Sequence, residues 1–328
     1  MADLRLDENI YAVQPGQTVL DALLEHGVAV DYRCQNGVCL SCLMRCSEGE
    51  LPVLAQKGLR ETLRARGYFL ACQCRPRADL SLERIDAAQI RSPARVVDKQ
   101  MIAPDVCRLR LDPATPLYYH AGQFINLVHP GGTQRSYSLA SVPQTDAFLE
   151  LHVKRVPDGL ASGWIHDELA CGDSVQFEGP YGGAFYLPGR AQQPILLIAT
   201  GTGLAPVLGV ARDALRDGHA GRMVLYHGSR FRTGLYATDQ LAELAGRFPN
   251  FDYRLCLSGG DDGLRGPWQA HVGRAGDLAL AEHRILEGWR VFICGNPTMV
   301  KAVKRAAYLG GAALADIHGD PFIDRQSG

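Results

Sequence analysis

The sequence has 328 residues, of which 46% are hydrophobic, and its formal net charge is −1 at pH 7. This length is sufficient for two or three domains with substantial cores. The even charge balance excludes a basic surface for nucleic acid, and no apolar run is long enough to span a membrane. Charged residues interrupt the first ten positions, so no signal peptide is expected and we predict a cytoplasmic protein.

The first elements are predicted to be two strands and a helix. Residues 3–12 form the strand pair, and the Pro-Gly dipeptide within residues 14–17 marks a turn. Thr18 is a favourable N-cap for a helix over Val19–His26, which Gly27 ends.

A cysteine-rich loop follows this helix. Cys34, Cys39 and Cys42 are separated by four and two residues, and 29 residues lie between Cys42 and Cys72. This is the ligand spacing of a plant-type [2Fe–2S] cluster. Zinc is the main alternative, although only Cys39 and Cys42 have the spacing of a zinc knuckle, and disulfides are disfavoured without secretion signals. Gly37 is expected to adopt a positive φ or to allow a close approach to the cluster.

Residues 1–85 resemble a plant-type ferredoxin domain of the β-grasp fold. The resemblance implies that the iron ligands are Cys34, Cys39, Cys42 and Cys72. Leu40 departs from the family, in which many members have Gly, and we expect it to alter the packing over the cluster and its potential. Cys46 and Cys74 do not fit the ligand spacing and are predicted to be packing thiols.

A polar linker is predicted at Asp86–Pro93, and short β runs between Gly and Pro turns continue to about Pro188. This pattern predicts an antiparallel six-stranded barrel. The predicted strands are Arg95–Met101, Val106–Leu111, Phe124–Val128, Ser136–Leu139, Leu149–Val156 and Ser174–Glu178.

The tetrapeptide Arg135-Ser136-Tyr137-Ser138 resembles the flavin signature R-x-Y-[ST] of the ferredoxin–NADP reductase superfamily. An Arg guanidinium matches phosphate oxygens, a Tyr ring can contact the isoalloxazine, and a Ser hydroxyl can hydrogen-bond flavin N5. Strand alternation places Arg135 and Tyr137 on one face and the two serines on the other, so a bend or backbone contacts must contribute. Taken alone, the tetrapeptide is equally consistent with an exposed strand.

A second segment, residues 152–162 with a helix continuing to Leu169, resembles the pyrophosphate loop of the same superfamily. A helix N-terminus there offers free backbone N–H groups to phosphate. The resemblance implies FAD rather than FMN, with further contacts from His152, Val153, Lys154, Gly159 and Ser162.

Beyond Pro188, apolar strands alternate with helices, which predicts a doubly wound α/β sheet. The predicted strands are Ile195–Thr200, Met223–Ser229, Phe251–Leu257 and Arg290–Cys294. One predicted helix follows the first strand and ends at Leu215, and two more cover Thr238–Phe248 and Thr298–Leu309. A strand, a Gly-rich turn and a helix bring backbone amides against a dinucleotide pyrophosphate. The turn here is G-T-G-L-A-P, which resembles the G-T-G-[LIV]-A-P motif of this superfamily. The candidate contacts are Gly201, Thr202, Gly203 and Pro206. The alternative is a Rossmann-like domain for another ligand.

Cys294 begins a C-G-N-P segment at a strand end and resembles the cysteine that positions the nicotinamide in this superfamily. The resemblance implies hydride transfer involving Cys294, Tyr137 and Ser138, while the alternative for Cys294 is a buried strand-end thiol. Phe322 resembles the terminal aromatic residue that covers the flavin in some members.

The nicotinamide preference is predicted from the end of the second strand of this sheet. An acidic residue usually reads the ribose 2′-OH, whereas Arg accommodates a 2′-phosphate. Ser229 and Arg230 stand there, and no acidic residue does, which favours tolerance of NADPH. Related oxygenase reductases mostly use NADH, so we expect NADH first, with NADPH as the alternative.

We therefore predict a multidomain α+β and α/β protein with a β-grasp ferredoxin domain at 1–88, a flavin barrel at 94–188 and a Rossmann-like NAD(P) domain at 189–328. The chain resembles the reductase component of multicomponent oxygenases. This implies electron transfer from NAD(P)H through FAD and [2Fe–2S] to an oxygenase or an intermediate ferredoxin. The alternatives are a reductase for CDP-6-deoxyglucoseen-type sugar deoxygenation and a redox-sensing module without turnover.

Overall fold

A computed structural model describes residues 2–32, 35–37, 40–59, 61–84, 91–260 and 268–322. The chain forms two compact units, residues 1–91 and 92–328. Among the described residues, none of the helices combines the length and the apolar character needed to cross a bilayer.

The first unit contains a five-stranded sheet within the described residues, in the order β2-β1-β5-β3-β4. Its elements are β1 (Ala2–Leu6), β2 (Asn9–Val13), α1 (Val19–Glu25), β3 (Leu43–Glu48), α2 (Glu61–Arg64), β4 (Tyr68–Leu70) and β5 (Leu80–Glu83). The central β1 and β5 are parallel and the other pairs are antiparallel, as in a β-grasp fold. Thr18 caps α1 as predicted, because its hydroxyl accepts from the Asp21 N–H while the Asp21 carboxylate accepts from the Thr18 N–H.

The second unit begins with an antiparallel sheet that has six strands in the described residues, in the order β10-β7-β6-β11-β8-β9. These are β6 (Ser92–Ala103), β7 (Val106–Pro113), β8 (Phe124–Val128), β9 (Gln134–Ser138), β10 (Leu149–Lys154) and β11 (Ser174–Tyr181), with helix α3 (Leu160–Asp167) after β10. A bridge between Leu139 and Leu151 joins the two edges, so the sheet closes into a barrel. Its interior is filled by alternate strand residues such as Leu109, Leu127 and Phe177.

The rest of the second unit is a parallel sheet with six strands in the described residues, in the order β15-β14-β13-β12-β16-β17. The strands are β12 (Ile195–Thr200), β13 (Met223–Ser229), β14 (Phe251–Leu257), β15 (Ala270–Val272), β16 (Arg290–Gly295) and β17 (Ile317–Pro321), and the helices are α4 (Leu204–Arg216), α5 (Thr238–Arg247), α6 (Ala275–Glu282) and α7 (Pro297–Leu309). One face of the sheet packs against α4, α5 and the barrel, and the other against α6 and α7. The order reverses between β12 and β16, which makes this the switch point where such sheets bind ligands.

The predicted linker was wrong at its C-terminal end. Ser92 and Pro93 belong to β6, where Pro93 opposes Gln176 of β11 and its carbonyl accepts from the Ala114 N–H. Residues 85–90 lie outside the described residues. Proline was tolerated because it stands at the start of the strand, where a missing ladder donor costs little.

Candidate functional site

The structure describes two of the four predicted cluster ligands. Cys42 and Cys72 are both buried, and the Cys72 backbone N–H donates to Cys42 Sγ at 3.5 Å. Two adjacent cysteines with a backbone N–H directed at one sulfur suit an iron–sulfur cluster, whose sulfurs accept such hydrogen bonds. Cys34 and Cys39 lie outside the described residues.

The predicted cluster loop contains three described positions with a left-handed backbone, namely Gln35, Gly37 and Leu40. Gly37 has φ +74°, as predicted, and a Cβ added there would lie 2.7 Å from Cγ of Gln73. Leu40 has φ +54° and a buried side chain. A non-glycine residue in this region costs roughly 1–2 kcal/mol. Leu40 therefore adopts a backbone conformation that favours glycine.

The thiols of Cys46 and Cys74 are buried, as expected of packing residues. Burial raises the pKa of Cys74 to about 12, and the neighbouring Cys46 adds to the rise. Burial also raises the pKa of Cys46, whose thiol contacts the Glu48 carbonyl at 3.2 Å. Both side chains remain protonated at neutral pH.

The tetrapeptide with the flavin signature occupies most of β9 and pairs regularly with β8, without a bulge. Tyr137 packs against the barrel interior, while the Ser136 hydroxyl donates to Asn126 Oδ1 at 2.6 Å on the opposite face. Arg135 is half-buried, with one guanidinium N–H on the Gln134 carbonyl at 2.8 Å. Because β9 has no bend, side chains on its two faces cannot all contact one ligand, and some of the contacts must come from the backbone.

In the predicted pyrophosphate segment, the Ser162 side chain is engaged within the loop, whereas backbone N–H groups at the start of α3 remain available. The Ser162 hydroxyl donates to the Gly159 carbonyl at 3.2 Å and accepts from the Val156 N–H at 3.1 Å, so it closes the loop before α3. No side chain caps the start of α3 at Gly159, which leaves N–H groups of the first turn for a ligand. Lys154 is exposed and Val153 is buried in the barrel.

His152 lies in a buried polar chain between the barrel and the parallel sheet. Its ring contacts Glu150 Oε1 through Nε2 at 3.1 Å and the Tyr236 hydroxyl through Nδ1 at 3.1 Å, and Glu150 Oε2 accepts from Arg110 Nε at 2.7 Å. Burial alone would raise the pKa of Glu150, but His152 and Arg110 hold it at about 2. Any flavin contact from residue 152 therefore uses the backbone, because the ring is already engaged.

The Gly-rich turn after β12 has one open and one closed glycine. A Cβ added at Gly201, where φ is +53°, would meet nothing within 4 Å, whereas one at Gly203 would lie 2.3 Å from the Cys294 carbonyl oxygen. Gly295 is closed in the same way, since an added Cβ would lie 2.4 Å from Thr200 Oγ1. The turns after β12 and β16 thus pack closely against each other, whereas the side of Gly201 that an added Cβ would occupy is open.

Two residues at this junction were missed from the sequence. The Thr200 hydroxyl accepts from the Asn296 N–H at 2.9 Å, and Asn296 Oδ1 caps α7 by accepting from the Thr298 and Met299 N–H groups at 3.0 and 3.2 Å. An Asn followed by Pro is a recognisable helix start. Thr200 had no such signal, because it ends an apolar run.

Cys294 lies at the switch point with a buried side chain, and burial raises the pKa of its thiol well above the ordinary value. The thiol is therefore protonated. The Phe322 N–H donates to the Gly295 carbonyl at 2.8 Å, which places the terminal aromatic residue beside the turn that follows Cys294. Ser229 ends β13, and the guanidinium of the next residue, Arg230, stacks on Phe231 at 5.1 Å from the ring centroid.

Helix α4 brings the Gly-rich turn against the flavin strand. A Cβ added at Gly209 would lie 3.1 Å from the Leu139 carbonyl oxygen and 3.2 Å from that of Ala140, so only glycine allows this approach. Arg212 then fixes the contact, since its guanidinium binds both carboxylate oxygens of Asp146 at 2.8 and 2.9 Å. Helix α4, which follows the turn after β12, thus packs against the segment that follows β9.

Three family models match the chain, in the order of the three predicted domains. A 2Fe-2S iron-sulfur cluster binding domain covers residues 5–77, an oxidoreductase FAD-binding domain residues 93–186, and an oxidoreductase NAD-binding domain residues 197–305. The reductase subunit of an aromatic O-demethylase from Amycolatopsis sp. is 38% identical over 94% of this chain and 95% of its own length. The chain belongs to the family of ferredoxin–NAD(P) reductases with an N-terminal [2Fe–2S] domain.

Further relatives of the reductase agree. The reductase component of the naphthalene 1,2-dioxygenase/salicylate 5-hydroxylase systems of Ralstonia sp. is 34% identical over 94% of each chain. The crystal structure of an Amycolatopsis cytochrome P450 reductase has a TM-score of 0.69 at 35% identity, covering 98% of this chain and 99% of that one. A ferredoxin reductase in carbazole 1,9a-dioxygenase, 24% identical, shares the fold with a TM-score of 0.67 over 98% of each chain.

The reductase is therefore an oxidoreductase whose cofactors are FAD, NAD(P)H and a [2Fe–2S] cluster, which confirms the predicted fold, family and cofactors. The cluster is favoured over zinc by the domain match at residues 5–77. These relatives do not support the sugar-deoxygenation or the redox-sensing alternative.

Proposed function

We propose that the reductase passes electrons from NADH to an oxygenase that acts on an aromatic or hydrocarbon substrate, directly or through an intermediate ferredoxin. The observation that carries this proposal is the close packing of the Gly-rich turn against Cys294 at the switch point of the parallel sheet, where Gly203 approaches the Cys294 carbonyl oxygen. Bound flavin takes two electrons together from a nicotinamide and releases them singly to a [2Fe–2S] cluster. The residues of this chain bind and orient these groups.

We assign the flavin site to β9, β10 and the start of α3. Arg135 and the uncapped first turn of α3 supply positive charge and N–H groups suited to the phosphates. Tyr137 and Ser138 are assigned to the ring. The complete proposed set is Arg135, Ser136, Tyr137, Ser138, His152, Val153, Lys154, Gly159 and Ser162.

We assign the nicotinamide nucleotide to the cradle over Gly201. The open side of Gly201 allows a pyrophosphate to approach the backbone, and the protonated thiol of Cys294 orients the nicotinamide without acting as a nucleophile. Pro206 stands in the first turn of α4, where its missing N–H leaves no helical bond unmade. The complete proposed set is Gly201, Thr202, Gly203, Pro206, Ser229, Arg230, Cys294 and Phe322.

An anaerobic titration of the purified reductase tests this function, with absorbance and EPR recorded after each addition of NADH. We expect flavin bleaching together with a rhombic signal from a reduced [2Fe–2S] cluster. Flavin reduction without a cluster signal would contradict the assignment of the four cysteines. No bleaching by NADH or NADPH would contradict the assignment of the nucleotide site.

The acceptor is tested by reconstitution with purified oxygenases. Relatives of the reductase serve an aromatic O-demethylase and a naphthalene dioxygenase system, so both classes are suitable. We expect NADH-dependent product formation with at least one of them, and cytochrome c reduction as a positive control for electron exit. Cytochrome c reduction without turnover of either oxygenase would refute the acceptor class and leave the reductase activity intact.

The nucleotide preference is tested by the ratio of kcat/KM for NADH to that for NADPH. We propose NADH as the better substrate, with residual use of NADPH supported by Arg230 at the end of β13. Replacing Arg230 with Ala should lower kcat/KM for NADPH more than for NADH. An equal effect on both would remove Arg230 from the recognition of a 2′-phosphate.

We also propose a cytoplasmic location. No disulfide joins the cysteines among the described residues, which suits a reducing compartment. Cell fractionation with detection of the reductase tests this, and recovery outside the cytoplasmic fraction would contradict it.

A further inference from the structure

His227 is a fully buried histidine on β13 beside the Gly201 turn, with an exposure of 0%. Within the part of the chain that the structure describes, no partner is in good hydrogen-bond geometry with either ring nitrogen, but the Gly201 backbone lies close enough to act as a hydrogen-bond acceptor for the ring. Burial lowers the pKa of His227 to about 4, and this backbone contact partly offsets the fall. The imidazole is therefore neutral, with one donor and one acceptor. A polar side chain buried this deeply calls for an explanation in a native structure.

The position of His227 in the sheet points to that explanation. The register pairs Ala199 with His227 on one side and with Cys294 on the other, so the three form a row across adjacent parallel strands. Ala199 and Cys294 face α4, α5 and the barrel, as does Leu225 two residues before His227. With strands about 4.8 Å apart, His227 and Cys294 stand about 10 Å from each other. The small side chain of Ala199 separates them directly below the Gly201 turn.

The neighbouring Tyr236 does not satisfy His227. The Tyr236 hydroxyl lies 3.1 Å from His152 Nδ1, and His152 Nε2 lies 3.1 Å from Glu150 Oε1. The hydroxyl is therefore committed to His152. Tyr236 contacts His227 only ring to ring, edge-on at 5.4 Å between centroids, and this contact holds the imidazole in place.

We propose that His227 is a positioning residue for the nicotinamide nucleotide. His227 supports the Gly201 turn, and in the sheet it lies on one side of Ala199 while Cys294 lies on the other. The proposal rests on the assignment of the nucleotide to that turn. The Arg110–Glu150–His152–Tyr236 chain links this support to the barrel, so the turn is held from the side that carries the flavin signature. A turn that binds the nucleotide pyrophosphate acts equally on the ground state and the transition state, and its support therefore affects KM and not kcat.

The test replaces His227 in the full-length holo-reductase. His227→Leu removes both ring nitrogens at similar volume, and His227→Gln and His227→Asn each return one donor. We measure the dissociation constant for NAD⁺ by calorimetry, KM and kcat for NADH with ferricyanide, and the melting temperature. For His227→Leu we expect about a fivefold rise in Kd and KM with kcat unchanged, as for the loss of one hydrogen-bonded support. One of the two amides should restore both constants.

His219 provides a matched control. It is buried, its Nε2 is also unpaired among the described residues, and it lies after the C-terminal end of α4, away from the Gly201 turn. His219→Leu should leave Kd and KM for the nucleotide unchanged.

Three results would overturn the inference. The first is a Kd in His227→Leu within twofold of the unmodified reductase. The second is a rise in Kd that neither amide restores and that accompanies an equal loss of melting temperature in all three variants, because this describes packing alone. The third is an unmodified reductase that does not bind NAD⁺. A reductase that binds NAD⁺ but does not oxidise NADH would contradict the proposed function, while the Kd comparison would still decide the role of His227.

Discussion

Replacing Glu150 with Gln tests how the polar face of the barrel is held against the nucleotide-binding sheet. In the structure, Glu150 Oε1 accepts from His152 Nε2 at 3.1 Å and Oε2 accepts from Arg110 Nε at 2.7 Å. A glutamine has the same shape but only one acceptor oxygen. Its NH₂ group must then face one of two donors, so one buried interaction is lost and the other loses its charge.

The magnitude follows from the pKa of Glu150, which falls from an ordinary value of 4.5 to about 2. At about 1.4 kcal/mol for each pH unit, the ionised side chain contributes about 3 kcal/mol to stability at pH 7. Because the folded pKa is depressed, this contribution is complete above the unfolded pKa of 4.5 and is lost as pH falls towards 2. About 1 kcal/mol of it should be lost at pH 4.

The assay is thermal unfolding of the holo-reductase, followed by the fluorescence of released flavin, which reports on the barrel. For a domain of this size, about 3 kcal/mol corresponds to a lowering of the melting temperature by about 6–12 °C at pH 7. The difference in melting temperature between Glu150→Gln and the unmodified reductase should be smaller at pH 4 than at pH 7. A shift below 2 °C at pH 7, or a difference that does not narrow in acid, would refute the reasoning.

Asp167 provides the control for this prediction. Its carboxylate pairs with Arg155 on the protein surface, and that hydrogen bond lowers the pKa of Asp167. Solvent screens such exposed pairs, so Asp167→Asn should leave the melting temperature unchanged.

Three further predictions concern the loops. Gly203→Ala places a Cβ 2.3 Å from the Cys294 carbonyl oxygen, so kcat/KM for NADH with ferricyanide should fall about 100-fold, as for a displacement of about 1 Å. It should stay unchanged in Gly246→Ala, where the added Cβ meets nothing within 4 Å. Equal losses in the two would contradict this. At Leu40, where φ is +54°, the variant Leu40→Gly should be more stable than Leu40→Ala by about 1 kcal/mol, measured by thermal bleaching of the cluster. A Leu40→Ala variant that is the more stable of the two would show that this position is not strained. Cys72→Ser should abolish the cluster EPR signal but not flavin reduction by NADH, and a retained signal would remove Cys72 from the ligands.

Local pattern was sufficient for most elements of the parallel sheet. The strands at Ile195–Thr200, Met223–Ser229 and Phe251–Leu257 have the predicted bounds, because apolar runs between turn residues mark buried parallel strands. Strand β17, Ile317–Pro321, had no such pattern, since its sequence is polar and contains Gly and Pro. It is an edge strand that pairs only with β16 among the described residues, so its formation depends on its neighbour.

The sequence by itself determined the domain order, the cofactor types and the residue types at the cysteine, flavin and nucleotide motifs, because each cofactor demands particular residues at short, fixed spacings. Only the tertiary structure decided which distant side chains meet. Glu150, His152 and Tyr236 lie on strands and loops up to 86 positions apart, and neither their spacing nor their composition signals contact. His227 likewise acquires its place in one row with Ala199 and Cys294 from the sheet register. Motif chemistry is local in the chain, whereas burial and pairing arise from the packing of the barrel against the sheet.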